Sequence, residues 1–244
     1  MTTQAVLAQT KLELAMTLRR GESLMVTLAI PVAILVFFGQ VNPLTAVKGD
    51  PIDFLVPGVL ALAVMASAMV SLGIATGFER RYGVLKRLGS TPLSRGGLLA
   101  AKTLNVLALE VLQVGVIVGT GLALGWHTDA PRVGAAIGLL LLGTIAFAGI
   151  GMFMAGTLRA EANLALANAL FLVLMFLGGM AYPLAKLPTA VAAIARLLPA
   201  AALAECLRAV LESTALPAGA FIVLLAWTVA APLAAAHWFT WEEA

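Results

Sequence analysis

Apolar runs about the length of a bilayer crossing, separated by short charged segments, constrain this chain more than any other feature. Six of them can be marked along its 244 residues: about Ser23–Gln40, Leu55–Phe78, Leu98–Gly125, Val133–Thr157, Leu164–Tyr182 and Leu216–Phe239. A hydrocarbon core needs roughly 20 apolar residues per helix. The pattern therefore predicts six transmembrane helices, spans 1 to 6, with a kink allowed at Pro31 and with Pro232 near the end of span 6. Composition agrees. Only 11% of the residues are charged, against about 25% in soluble domains, so the chain cannot present a wettable surface. The expected fold class is an all-α polytopic membrane protein, a single domain over residues 1–244.

The net charge of +3 and a pI near 9.4 would suit a nucleic-acid partner. The Lys and Arg residues lie mainly in loops, where they set topology instead. With the N-terminus inside, Lys11, Arg19, Arg20, Arg80, Arg81, Lys86, Arg87, Arg95, Lys102 and Arg159 fall on the inner side. Lys48, Arg132, Lys186, Arg196 and Arg208 fall outside, so both termini are expected in the cytoplasm. The first 20 residues lack the pattern of a cleaved signal peptide. They read instead as an imperfect amphipathic helix. Leu7, Leu14 and Leu18 share one face, Gln9, Thr10, Glu13, Thr17 and Arg20 the other, and Lys11 and Arg19 intrude on the apolar side. Such a helix lies on the membrane surface or packs on its own protein. Residues 178–213, cut by Pro183, Pro188 and Pro199, hold pieces too short to span. Short helices dipping into or lying on the outer leaflet fit them, with a plain loop as the alternative.

Small residues at four-residue spacing predict close helix contacts: Ala63, Ser67 and Ser71; Gly73 and Gly77; Gly134 and Gly138; Gly151 and Ala155. Trp126, Tyr182, Trp238 and Trp241 fit an interfacial aromatic belt. Cys206, the single cysteine, excludes an intrachain disulfide and reads as a packing residue. His127 and His237 belong to no cluster with metal-ligand spacing. No G-x-x-x-x-G-K-[ST] loop is present, so ATP binding of that kind is not expected of this chain, nor is any chemistry.

Two features carry functional weight. The first is the basic stretch 79–95 between spans 2 and 3. Residues 79–88 can form a short helix, with Glu79 at its positive end and Lys86 and Arg87 at its negative end. Thr91-Pro92 then turns the chain into span 3. The second is Glu110, deep in span 3, where an acid costs roughly 2.5–3.5 kcal/mol on insertion scales. It shares a polar stripe with Thr103, Gln113 and Thr120. The stripe lines a substrate route, forms a hydrogen-bond network at a dimer seam, or is satisfied by a neighbouring helix.

The stretch 79–95 resembles the loop between the second and third spans of ABC-2 type transporter permeases, of the daunorubicin-resistance-permease kind. Glu79, Gly83, Leu85, Arg87, Leu88, Thr91, Pro92, Leu93, Ser94 and Arg95 match, while Val84 stands where Thr is usual and Lys86 where Glu is usual. Asp53 to Gly58, Tyr182 to Pro199 and Glu205 to Arg208 extend the resemblance over essentially the whole chain. It implies a coupling helix seated on a separate cytoplasmic ATP-binding subunit, present in two copies and holding the ATP and Mg. It implies a second permease copy, a bacterial plasma (inner) membrane location with lipid contacts, and export of a hydrophobic or amphipathic drug, antibiotic, lipid or glycan-like cargo. The residues it places at the ATPase contact are Glu79, Tyr82, Gly83, Leu85, Arg87, Leu88, Pro92 and Arg95, with Arg159 and Glu161 from the inner loop after span 4. Tyr82, Leu85 and Leu88 suit docking, and Arg80 and Arg81 suit a headgroup anchor. An ion-coupled transporter or channel using Glu110 is the alternative.

Overall fold

The computed structural model describes residues 3–19, 21–41, 51–89, 94–128, 132–180 and 183–241. Every regular element among them is helical: α1 (Thr3–Arg19), α2 (Gly21–Val41), α3 (Pro51–Arg81), α4 (Val84–Gly89), α5 (Arg95–Ala123), α6 (Val133–Thr157), α7 (Ala160–Leu177), α8 (Thr189–Ala195), α9 (Pro199–Leu211) and α10 (Ala218–Trp238). Five of these, α3, α5, α6, α7 and α10, are long and apolar enough to cross a membrane, and they coincide with expected spans 2 to 6. Expected span 1 is helical as α2, with Pro31 inside it, and its described apolar stretch is Leu28–Gly39. The chain is an all-α, multi-pass membrane protein.

The helices differ in what surrounds them. In α3, 83% of the most apolar stretch is buried inside the chain, against 22% in α7 and α10. α3 is therefore the central pillar, and the outer helices turn broad apolar faces to lipid. In that solvent, exposed Leu, Ile and Val carry no penalty, and packing between helices depends on small residues and hydrogen bonds. A Cβ on Gly73 would lie 3.0 Å from the Gly151 carbonyl oxygen, and one on Gly151 would lie 2.6 Å from the Met69 oxygen. α3 and α6 thus meet backbone to backbone at the small residues expected there. Gly134 and Gly138 have nothing within 4 Å and are not contact points for the described residues, contrary to the expectation from their spacing. Next to the crossing, α3 carries a π-helical turn, Ala66–Ser71.

The segment 178–213 forms short helices, as expected. α8 and α9 are bent by 86° relative to each other. α9 is almost wholly buried, so it dips into the bundle; α8 leaves Ile194 exposed. Arg208 on α9 places its guanidinium 3.9 Å over the Phe54 ring of α3 and donates to the Gly179 carbonyl. Trp126 is buried, which removes it from the expected aromatic belt, whereas Trp238 is exposed. Cys206 is buried in the core as a packing residue.

α1 packs on its own protein, one of the two arrangements expected, and does so through its polar side. Gln9 and Glu13 are buried, while Leu7 and Leu12 are more than half exposed. The amphipathic helix packs its polar face on α5 and turns its apolar face outward. Leu18 and Arg20 lie outside the residues whose side chains are described.

Candidate coupling site and the polar lock behind it

The stretch expected as one helix over 79–88 is two. Glu79 to Arg81 belong to the end of α3, where Tyr82 N–H donates to the Phe78 oxygen and Gly83 N–H to the Arg80 oxygen. Gly83 sits at φ 71°, a left-handed conformation that Gly adopts without the Cβ penalty. That turn ends α3 and starts α4 in a new direction. Glu79 therefore stands at the C-terminal end of the long helix, not at the N-terminal end of the short one.

α4 has two faces. Tyr82 before it is 72% exposed, Val84 is 44% exposed, and Lys86 and Arg87 are exposed. Leu85 is fully buried and Leu88 is half-buried against the core. This corrects the docking role expected of Leu85, which sits on the inner face of the short helix and fastens it to the bundle, whereas Leu88 is covered only in part. Pro92 and the Arg95 side chain lie outside the described residues. Ser94 caps α5 by accepting from Gly97 N–H at 3.1 Å, as an N-cap serine does.

The root of α4 is tied to the next inner loop. Arg80 donates through Nη1 to the Ala155 and Leu158 carbonyls, both at 2.9 Å. These are orphan acceptors at the end of α6, so Arg80 is a buried cap rather than the lipid anchor expected of it. Arg81 pairs with Glu161 at the start of α7. Asn163 Nδ2 donates to the Gly73 carbonyl at 2.8 Å, across the α3–α7 contact. Arg159 is exposed beside them. Glu161 thus serves first as the tie between the loops.

Behind α4 lies a feature that sequence reasoning missed. Lys102 is 1% exposed, and its ammonium sits 2.8 Å from Glu13 Oε1 on α1 and 2.7 Å from Glu79 Oε2 on α3. Gln9 Nε2 donates to the same Glu13 oxygen at 2.9 Å, and Asn105 Nδ2 donates to Thr17 Oγ1 at 3.3 Å. One lysine locks the surface helix, the pillar and α5 together a turn from the α3–α4 joint. The available signal was a lysine inside an apolar run with Asn105 one turn on, opposite an acid on the polar face of α1. In the sequence alone Lys102 reads only as a topology charge.

The stripe on α5 does not act as one unit. Glu110 accepts from Ser67 Oγ at 3.3 Å and from Thr144 Oγ1 at 2.5 Å. The π turn of α3 carries Ser67, consistent with such turns recurring at special sites. Thr120 bonds back to the Val116 carbonyl, and Thr103 is half-buried and does not line the cavity that Gln113 lines. Gln113 is buried and lines a cavity of about 800 Å³ bounded by α1, α2, α3, α5 and Tyr82 to Leu88. Glu13, Glu79 and Lys102 line the same cavity, so the lock forms part of its wall. Among the described residues, no group of three or more His, Cys, Asp or Glu could hold a metal ion.

No curated protein matches the chain. The family model for the ABC-2 type transporter matches residues 4–211, from the surface helix through α9 and across every element of the coupling site. A bundle of membrane-crossing helices, a short helix mounted between two of them, and a family match over most of the sequence lead to one conclusion: the chain belongs to the ABC-2 type transporter family, whose members are membrane subunits of transporters and carry no ATPase site of their own.

Proposed function

We propose that this chain is the membrane-spanning subunit of an ATP-driven exporter. It pairs with a second permease copy, identical or related, and with two copies of a cytoplasmic ATP-binding subunit that holds ATP and Mg. The cargo is a hydrophobic or amphipathic molecule, moved outward across the bacterial inner membrane, with both termini of the chain in the cytoplasm. One observation carries the reading. α4 offers an exposed apolar and cationic face, Tyr82, Val84, Lys86 and Arg87, of which Tyr82 and Val84 also edge the cavity; Leu85 anchors its inner side in the core, and Arg80 and Arg81 tie its root to the neighbouring inner loop. A short helix fastened in this way passes a push to several spans at once. Arg159 extends the same face. The ion-coupled alternative loses support, because Glu110 sits within hydrogen-bond distance of hydroxyls of α3 and α6 and does not line the cavity.

The test uses the exposed face, since acidic residues at Leu85 or Leu88 would unseat α4 itself. The chain is purified from its native membrane in gentle detergent, and a Tyr82→Ala, Val84→Asp double variant is purified in parallel. A soluble ATPase is expected with the parent and lost from the variant at unchanged melting temperature. A stable, inserted parent that carries no ATPase overturns the proposal.

A further inference from the structure

One wall of the 800 Å³ cavity is α5, and this wall is not uniformly apolar. Asn105 and Gln113 stand on it, 6% and 4% exposed, and each keeps an amide oxygen with no hydrogen-bond partner. Buried polar side-chain atoms are partnered in the large majority of cases. Two orphan acceptors beside one cavity mark a place where the partner arrives from elsewhere. The orientation of Asn105 follows from its neighbour. The Thr17 hydroxyl gives its proton to the Glu13 carbonyl at 2.8 Å, so toward Asn105 it only accepts, and the amide nitrogen must face it. The oxygen is what remains. The terminal amide torsions of Asn and Gln are soft, so a modest rotation turns either oxygen to a ligand.

Spacing and charge narrow the ligand. The two residues are eight positions apart, which is about 12 Å along a helix. Val106, Leu109 and Leu112 lie between them, and Val70, Leu72, Ile74 and Leu28 make the middle mainly apolar, with the Ser67 and Ser71 hydroxyls set among them. Lys102 is the one cation among the described lining residues, and its ammonium is already held by Glu13 and Glu79. Among these described lining residues an anion would meet carboxylates and no uncommitted cation, whereas a neutral or cationic donor meets acceptors at both ends. Pockets for drug-sized molecules run to roughly 300–1,000 Å³. A lipid tail would fill the middle and leave Gln113 without a partner.

We propose that this cavity binds an elongated, drug-sized amphiphile, neutral or cationic, with N–H or O–H donors near both ends of an apolar body. Asn105 and Gln113 are the residues that read those ends. Calling the molecule the cargo rests on the exporter reading. Its binding does not, and it is measured on the purified chain with no ATPase present, so the two readings fail separately.

The probe is stilbene-diol, a fluorescent rigid body with a hydroxyl para on each ring, and the comparison is its dimethyl ether, which has the same body and no donor. Binding to the full chain in lipid nanodiscs is measured against empty nanodiscs. The diol is expected to bind saturably and roughly tenfold tighter than the ether, as two net hydrogen bonds to buried acceptors would give. Gln113→Leu should weaken the diol by roughly threefold to tenfold and leave the ether unchanged, and Leu109→Trp should block both by filling the middle. Equal affinity for diol and ether is the result expected of a hole for lipid tails, and it overturns the proposal. So does an absence of saturable binding in a chain that melts cooperatively. The diol–ether comparison needs no variant, so a misfolded variant cannot shield the idea.

Discussion

Lys102 shows what a single residue does in a low-dielectric setting. Its ammonium is shared by two carboxylates from different helices, and all three groups line one cavity. Removing one member of a buried ion pair strands the others, at a cost of about 3–5 kcal/mol. Lys102→Met should therefore lower the melting temperature sharply and release α1, read as faster amide exchange over Thr3–Arg19. Adding Glu13→Gln should restore part of the loss, because one stranded carboxylate disappears. A Lys102→Met chain with parental melting and exchange would show that the lock holds nothing. The lysine was visible in the sequence, but its partners were not. Glu13 and Lys102 are 89 positions apart, and only the packing of α1 on α5 joins them. Glu110 was legible as an anomaly for the opposite reason: a carboxylate in an apolar run must find donors wherever it lies. Which donors it found depended on the π turn that carries Ser67 and on the neighbouring position of Thr144.

At the scale of elements, the spans were readable because their length is set by the bilayer and needs no knowledge of neighbours. The faces of the helices were harder to read. α1 was expected to lie on the membrane or to pack on its own protein, and it packs there by burying Gln9 and Glu13. Amphipathicity marks two faces, and lipid makes the polar one the face that seeks protein. Small-residue spacing was similarly ambiguous. Gly73 and Gly151 lie at a crossing, whereas Gly134 lies in open space. The same substitution should then give opposite results. Gly151→Ala forces a Cβ against the Met69 carbonyl and should cost about 1–3 kcal/mol, as overpacking does. Gly134→Ala should be neutral or gain up to about 1 kcal/mol through helix propensity. Thermal melting of the two variants side by side checks the assignment, and equal losses would contradict the crossing.

At the scale of the whole molecule, the inner end of the bundle is one mechanical unit. Arg80 and Arg81 bind the two inner loops, Asn163 ties α7 to α3, and Lys102 ties α1 and α5 to the same pillar. The two arginines should behave differently despite being adjacent. The Arg81–Glu161 side chains are 45% and 60% exposed, so breaking that pair should change stability by less than about 1 kcal/mol. Arg80 is buried, and Arg80→Met leaves the α6 carbonyls of Ala155 and Leu158 without donors. Its signature is faster amide exchange at 155–158 and a loss of coupled transport that Arg81→Met does not show. Matching behaviour of the two variants would mean that the loops are not joined through Arg80.

The sequence by itself determined the membrane, the spans, the short helix between two of them and the likeness to ABC-2 permeases. Each of these depends on length, hydropathy or local order along the chain. Tertiary structure decided which side of α4 is exposed, which face of α1 turns inward, what Lys102 and Arg80 hold, and where a cavity opens. Those follow from side chains distant in sequence competing for a few hydrogen-bond partners in a medium that supplies none. The outcome of that competition is settled only when the helices meet.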